Sequence, residues 1–120
     1  MHIERYVPQS LLLDRVDAIV CHGGFNTVMG ALRAGVPLVI APSGADQPIH
    51  ASRCRALGAA AIVGARPIDP VEIRAAVRTV LEESALREAA RVIAADIAGL
   101  PDVGGAAAIV ERAALSPSEV

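Results

Sequence analysis

Side chains able to bind an anion follow a short apolar run in the first half of the chain. Residues 18–21 form the run, and His22-Gly23-Gly24 interrupts it directly. Amides at a helix start lack internal partners and favour negative charge, and Asn26 is a good N-cap type. The glycines admit a phosphate, while Thr27 and the imidazole of His22 add donors. These residues predict a diphosphate loop that needs no metal, although a tight strand-to-helix turn explains the same spacing.

The elements around this loop are expected to alternate between strands and helices. A helix runs to about residue 34 and ends at Gly35, and a second begins at Asp46 or Gln47 and ends near Gly58. The alternating residues 3–7 predict a strand, and residues 8–13, which begin with proline, predict a turn or short helix. Three apolar runs, residues 18–21, 37–41 and 60–63, predict further strands.

The second half is expected to be helical. Asp69 is a suitable N-cap, Pro70 suits the first helical position, and Glu72 completes a capping-box spacing. Apolar residues then recur at helical spacing in three stripes, with a break at residues 99–101. The stripes are Ile73, Val77, Val80 and Leu81; Leu86, Ala90, Ile93 and Ile97; and Ala106, Ile109, Val110 and Ala113.

Alternating strands and helices imply an α/β fold, a Rossmann-like parallel sheet flanked by helices with right-handed crossovers. Ligands of such sheets bind beyond the carboxyl ends of the strands. The loops at residues 21–26 and 42–47 follow two of these ends, so one rim of the sheet should hold both. We expect one domain over residues 1–115 and a flexible tail over residues 116–120.

Composition excludes several classes of function. The net charge of -2 and the lack of a basic stripe argue against nucleic-acid binding. All eleven basic residues are Arg, which excludes a P-loop lysine and a lysine Schiff base. Cys21 and Cys54, without a secretion signal, indicate reduced thiols and a cytoplasmic protein. No apolar run approaches the roughly 20 residues of a membrane span.

The wider sequence resembles a known family. The string His22-Gly-Gly-Phe-Asn-Thr is followed by Ala31-Leu32-x-Ala-Gly-Val-Pro37, Asp46-Gln47-Pro48 and Leu57-Gly58. This order and spacing is similar to the C-terminal donor-binding domain of GT-B glycosyltransferases of the family 1 type, which includes plant secondary-product and bacterial antibiotic-biosynthesis enzymes. The resemblance runs from residue 6 to about 114 and implies a partial, C-terminal half of a GT-B fold.

The resemblance implies a role for each matching residue. Tyr6 occupies the place of a base-stacking Trp, and Gln9 would contact the base or the ribose. The diphosphate would be held by His22, Gly23, Gly24, Asn26 and Thr27. Asp46 and Gln47 would bind hydroxyls of the donor sugar, for which a carboxylate beside an amide offers both acceptors and a donor.

Each assignment has a structural alternative. Tyr6 could be an edge-strand aromatic, Asp46 only a helix N-cap, and His22 a turn residue. His50, one turn beyond Asp46, is interpreted as a supporting or surface residue, and Phe25 as a packing residue.

One departure from the family pattern concerns the nucleotide. Many members carry a ribose-binding Glu three residues after the position of Thr27, where this chain has Gly30. We therefore expect thymidine-diphosphate sugars to be preferred over uridine-diphosphate sugars, although Gln9 offers another contact to a ribose.

A second departure concerns the reaction. The family's N-terminal domain binds the acceptor and carries the catalytic base, and no equivalent is found in this sequence. We expect the chain to bind a UDP- or dTDP-hexose without metal or cofactor, to supply no catalytic residue, and to be inactive without an acceptor-binding domain or subunit. With few strands, its sheet should expose an edge that could mediate homo-oligomerisation.

Three hypotheses remain open at this point. The first is the donor-binding portion of an enzyme that transfers a hexosyl group to an acceptor hydroxyl. The second is a non-catalytic nucleotide-sugar-binding module, and the third is a small α/β domain that only mediates assembly with a separate subunit.

Overall fold

The computed structural model describes residues 1–64 and 67–116, which form a parallel sheet flanked by helices. Two short 3-10 turns, Gln9–Leu11 and Leu13–Arg15, precede the first strand. The strands and helices then follow in this order: β1 (Ile19–Cys21), α1 (Phe25–Arg33), β2 (Leu38–Ile40), α2 (Gln47–Ala56), β3 (Ala60–Ile62), α3 (Pro70–Glu82), α4 (Ser84–Ala98) and α5 (Val103–Leu115).

Within the described ranges, the sheet has three strands in the order β1-β2-β3, all parallel. Leu38, Val39 and Ile40 of the central strand are fully buried, as expected for a strand covered on both faces. Leu38 and Ile40 point toward α1, α2 and α4, and Val39 points toward α3. The predicted α/β class and the three apolar strands are therefore confirmed.

The turn from α1 into β2 shows why glycine ends this helix. Gly35 has φ of +71°, and its amide and that of Val36 donate to the carbonyls of Leu32 and Ala31. This pair of bonds is the Schellman arrangement, which favours glycine because a side chain destabilises the left-handed conformation. The predicted end of the helix is confirmed.

The helical second half also follows its sequence signals. The carboxylate of Asp69 accepts a hydrogen bond from the amide of Val71 at 2.8 Å, which confirms the predicted cap of α3. The stripe on α4 divides, because Leu86 packs beside α3 whereas Ala90, Ile93 and Ile97 pack with α1 and α2. The predicted stripe on α5 stays exposed, and the side chain of Val110, for example, is 67% exposed.

The predicted strand over residues 3–7 is wrong. Residues 1–8 form no strand, and the side chains of Ile3 and Tyr6 are 76% and 81% exposed. Alternation alone cannot stabilise a strand that has no neighbour to complete its hydrogen bonds. The interpretation of Tyr6 as an edge-strand aromatic falls with it, whereas the short helix predicted over residues 8–13 is present as the 3-10 turns.

The two edges of this part of the sheet are β1 and β3. Val20 of β1 is 49% exposed, in contrast to the covered central strand.

Of the predicted tail, residues 117–120 lie outside the described residues. In the described ranges no single helix has the length and apolarity of a membrane span; only α4 and α5 counted together reach them, across a 49° bend.

Leu38→Ala should show how far the domain depends on its central strand. Leu38 is fully buried, so we expect a loss of about 2–5 kcal/mol in the free energy of unfolding, measured by urea denaturation. The matched control is Leu115→Ala on α5, where the side chain is 82% exposed and the change should stay within about 0.5 kcal/mol. Equal losses at both positions would contradict the assigned core.

Ala45→Gly should leave the unfolding free energy unchanged or raise it by up to about 1 kcal/mol. Ala45 has φ of +54°, a left-handed conformation that costs an L-residue roughly 1–2 kcal/mol and glycine little. Ala75→Gly, at an exposed position inside α3, is the control and should lose about 0.5–1 kcal/mol. Equal destabilisation in thermal melts would show that Ala45 is not strained.

Candidate functional site

The two loops predicted to form one rim do leave the sheet side by side. β1 and β2 are paired in register, so that Cys21 lies opposite Ile40 at the carboxyl ends of both strands. The next residues are the His22-Gly23-Gly24 turn on one side and the loop that leads to Asp46 on the other. The parallel sheet therefore places the predicted diphosphate loop beside the predicted sugar-binding residues.

Gly23 forms the closest contact between these two loops. It is buried with φ of +92°, and a Cβ atom there would lie 2.8 Å from Cγ2 of Ile40 and 3.4 Å from the carbonyl oxygen of Gln47. Any side chain would thus clash with β2 and strain the backbone. Glycine at this position lets the loop pack directly against the start of α2.

The start of α1 presents backbone donors to the rim. Gly24 is the N-cap residue, with φ of -62° and ψ of 142°, and the helix begins at Phe25. In the described structure the cap position supplies no side-chain acceptor, since glycine has none. The first amides of α1 are therefore left for solvent or an anion.

The predicted capping role of Asn26 is wrong. The glycine pair lets the chain turn into the helix two residues earlier than expected, so Asn26 is the second residue of α1 and its side chain is exposed. His22 is also exposed, and its ring lies against the loop, with Nε2 2.8 Å from where a Cβ of Gly24 would be. Thr27 is half-buried in the same first turn. Both polar side chains, His22 and Asn26, therefore remain available to a ligand.

Gln9 is tied to this helix. Its Nε2 donates to the carbonyl oxygen of Thr27 at 3.1 Å, and a Cβ on Gly30 would lie 3.2 Å from the same Nε2. The amide of Gln9 thus occupies the space beside Gly30, and the absence of a side chain at residue 30 makes room for it. Tyr6 is not packed into this arrangement, since 81% of its side chain is exposed.

Asp46 and Gln47, at the start of α2, differ in what their side chains contact. The side-chain oxygen of Gln47 accepts from the amide and hydroxyl of Ser43, at 2.8 and 2.9 Å, and from the amide of Gly44 at 3.2 Å. Gln47 therefore holds its own loop and has only its amide N–H groups to offer a ligand. Asp46 is 62% exposed and, in the part of the chain described, makes no capping bond, so its carboxylate faces solvent.

His50 joins the two halves of the rim. Its Nδ1 lies 2.9 Å from the carbonyl oxygen of Gly23, and its Nε2 lies 3.6 Å from Oδ2 of Asp46. The supporting position expected from the sequence, one helical turn after Asp46, is thus observed. The sequence signal for the bond itself was only this spacing, because nothing local reveals that Gly23 lies within reach. Phe25, expected to pack, contacts the His50 ring at 5.8 Å between centroids but is 59% exposed.

The two cysteines lie in the core beneath the rim. Burial raises the pKa of the Cys21 thiol, with a partly opposing hydrogen bond from the Gly23 backbone. Burial also raises the pKa of the Cys54 thiol, with a smaller contribution from Cys21. Since thiolates are the reactive form, a raised pKa disfavours the reactive form of both residues. Across residues 1–64 and 67–116 there is also no group of three His, Cys, Asp or Glu side chains placed to hold a metal ion.

Comparison with known proteins agrees with this arrangement. The family model of the C-terminal domain like that of erythromycin biosynthesis protein CIII matches residues 1–112. The O-mycaminosyltylonolide 6-deoxyallosyltransferase of Streptomyces fradiae is 37% identical over 108 residues, which are 86% of this chain and 25% of that protein.

Solved structures show the same fold. The glycosyltransferase VinC in complex with dTDP superposes with a TM-score of 0.84 at 31% identity, over 89% of this chain and 27% of that one. The spinosyn rhamnosyltransferase SpnG complexed with thymidine diphosphate superposes with a TM-score of 0.80 at 26% identity, over 88% of this chain and 29% of that one. The chain thus spans about a quarter of the length of these relatives, and all of them are glycosyltransferases.

These matches confirm the predicted resemblance and the partial GT-B fold, and the family model, over residues 1–112, includes the residues that form the rim. The chain therefore belongs to the family of C-terminal glycosyltransferase domains that are like that of erythromycin biosynthesis protein CIII, in glycosyltransferases of the family 1 type.

Proposed function

We propose that this domain binds the nucleotide-sugar donor, a UDP- or dTDP-hexose, of an enzyme that transfers the hexosyl group to an acceptor hydroxyl. The main support is the position of the glycine-capped start of α1 beside the exposed carboxylate of Asp46. Such an arrangement offers donors to a diphosphate and an acceptor to sugar hydroxyls within one rim. Tyr6 and Gln9 would bind the nucleoside.

The domain would contribute to catalysis by stabilising the leaving group. As the bond from the anomeric carbon to the nucleoside diphosphate breaks, negative charge grows on the diphosphate oxygens. Preorganised amides and the side chains of His22, Asn26 and Thr27 would stabilise that charge without a metal ion. The acceptor and its general base would be supplied by another domain or subunit, so the domain alone would not transfer sugar.

The nucleotide preference that we propose is supported by the packing of Gln9 beside Gly30. Residue 30 is glycine and the Gln9 amide lies in the space beside it, so no carboxylate is present at this position to accept a hydrogen bond from a ribose 2′-hydroxyl. A deoxyribose needs no such partner. We therefore propose dTDP-sugars as the preferred donors, in agreement with the dTDP named in two solved relatives.

His22→Ala should weaken dTDP binding by roughly 10- to 100-fold in calorimetry. The expected loss corresponds to one hydrogen bond to a charged group, roughly 1.5–3 kcal/mol. His2→Ala is the matched control, because His2 is an exposed N-terminal residue bonded to Glu4, and it should leave binding unchanged. If wild type binds neither dTDP nor UDP, the donor-site proposal fails for this chain; equal binding by His22→Ala refutes the diphosphate contact alone.

The deoxyribose preference can be tested with UDP, dUDP and dTDP. UDP and dUDP differ only at the 2′-hydroxyl, whereas dUDP and dTDP differ only at the base methyl group. We expect dUDP to bind about fivefold or more tightly than UDP, since an unpaired hydroxyl in the site costs roughly 1 kcal/mol or more. Comparable affinities for UDP and dUDP in calorimetry would rule out the proposed preference while leaving the diphosphate site intact.

A further inference from the structure

The hydrogen bond between His50 and Gly23 connects α2 to the loop before α1. The His50 side chain is 19% exposed, and its Nδ1 lies 2.9 Å from the Gly23 carbonyl oxygen. Because a carbonyl oxygen only accepts, Nδ1 must carry the proton in this bond. Nε2 lies 3.6 Å from Asp46, beyond the distance of a hydrogen bond, so the bond to Gly23 is the directed contact of this imidazole.

This bond orients the peptide group that joins the two glycines. The carbonyl of Gly23 and the amide N–H of Gly24 belong to one planar trans peptide and point in opposite directions. A carbonyl held toward His50 therefore turns the Gly24 N–H away from α2. Without a partner for the carbonyl, a peptide flanked by two glycines has little steric resistance to rotation, and rotation would reverse the direction of that N–H.

We propose that His50 is a positioning residue that holds the Gly23–Gly24 peptide with its N–H directed toward the donor diphosphate. The proposal rests on the donor site described above. His50 contacts no part of the donor itself; it acts through the Gly23 carbonyl. Because Asp46 is the N-cap residue of α2 and His50 lies one turn further along, the same bond also fixes the diphosphate loop relative to the carboxylate proposed to bind the sugar.

The test uses three variants of the intact chain. His50→Asn keeps an N–H donor at the position of Nδ1, His50→Gln moves the donor one methylene further, and His50→Leu removes it. Each is titrated with dTDP and with thymidine, followed by NMR, and thermal melts confirm that it is folded. The Gln variant stays polar and serves if His50→Leu does not fold.

We expect His50→Leu and His50→Gln to bind dTDP roughly tenfold more weakly, with thymidine affinity unchanged within twofold. His50→Asn should recover dTDP binding to within about threefold of wild type. In the ligand-free protein, the Gly24 amide resonance should stay sharp in His50→Asn and broaden in the other two variants, as expected for a peptide that rotates on the microsecond to millisecond timescale.

Three outcomes would overturn the positioning role. One is wild-type dTDP affinity in His50→Leu and His50→Gln, and another is an equal loss for dTDP and thymidine, which indicates general damage to the fold. The third is failure of His50→Asn to recover binding. If wild type itself binds no dTDP, the proposed donor site fails and the positioning role fails with it, and this result is distinct from the other three.

Discussion

The close packing of Gly23 against Ile40 and the start of α2 is the constraint on which the rim depends. A Cβ at residue 23 would lie 2.8 Å from Ile40, so the loop can approach only because that atom is absent. The approach brings the Gly23 carbonyl within reach of His50 and sets the start of α1 beside Asp46. Two loops from different strands thereby become one surface with defined donors and acceptors.

The side chains at this rim serve one of two purposes. One is structural: Gln9, Gln47 and His50 form hydrogen bonds within the protein, and each holds a segment that carries other candidate ligand groups. The other is contact with a ligand, for which His22 and Asp46 remain exposed. In the proposed donor site, groups held in this way would need little rearrangement when a charged ligand binds, which would favour electrostatic stabilisation of a leaving diphosphate.

The rest of the fold positions this rim. The fully buried β2 strand pairs in register with β1 and β3, and helices on both faces shield it from solvent. Ala45, in a left-handed conformation at φ of +54°, directly precedes Asp46, a residue of the proposed site. The three hydrogen bonds that the Gln47 side-chain oxygen accepts from Ser43 and Gly44 close the same loop. α5 stands apart from this framework, with an exposed apolar stripe.

The sequence by itself determined the α/β class, the three apolar strands, most helix ends and the family, because apolar periodicity, caps and motif spacing are local properties of the chain. It failed at residues 3–7, where alternation had no neighbouring strand to pair with, and at Asn26, where two glycines moved the start of the helix. Only the tertiary structure decided that Gln9 fills the space beside Gly30, that Gln47 holds its own loop and that His50 bonds to Gly23. Those partners are 18 and 27 residues apart for Gln9 and His50, and such contacts depend on how strands and helices pack rather than on any local pattern.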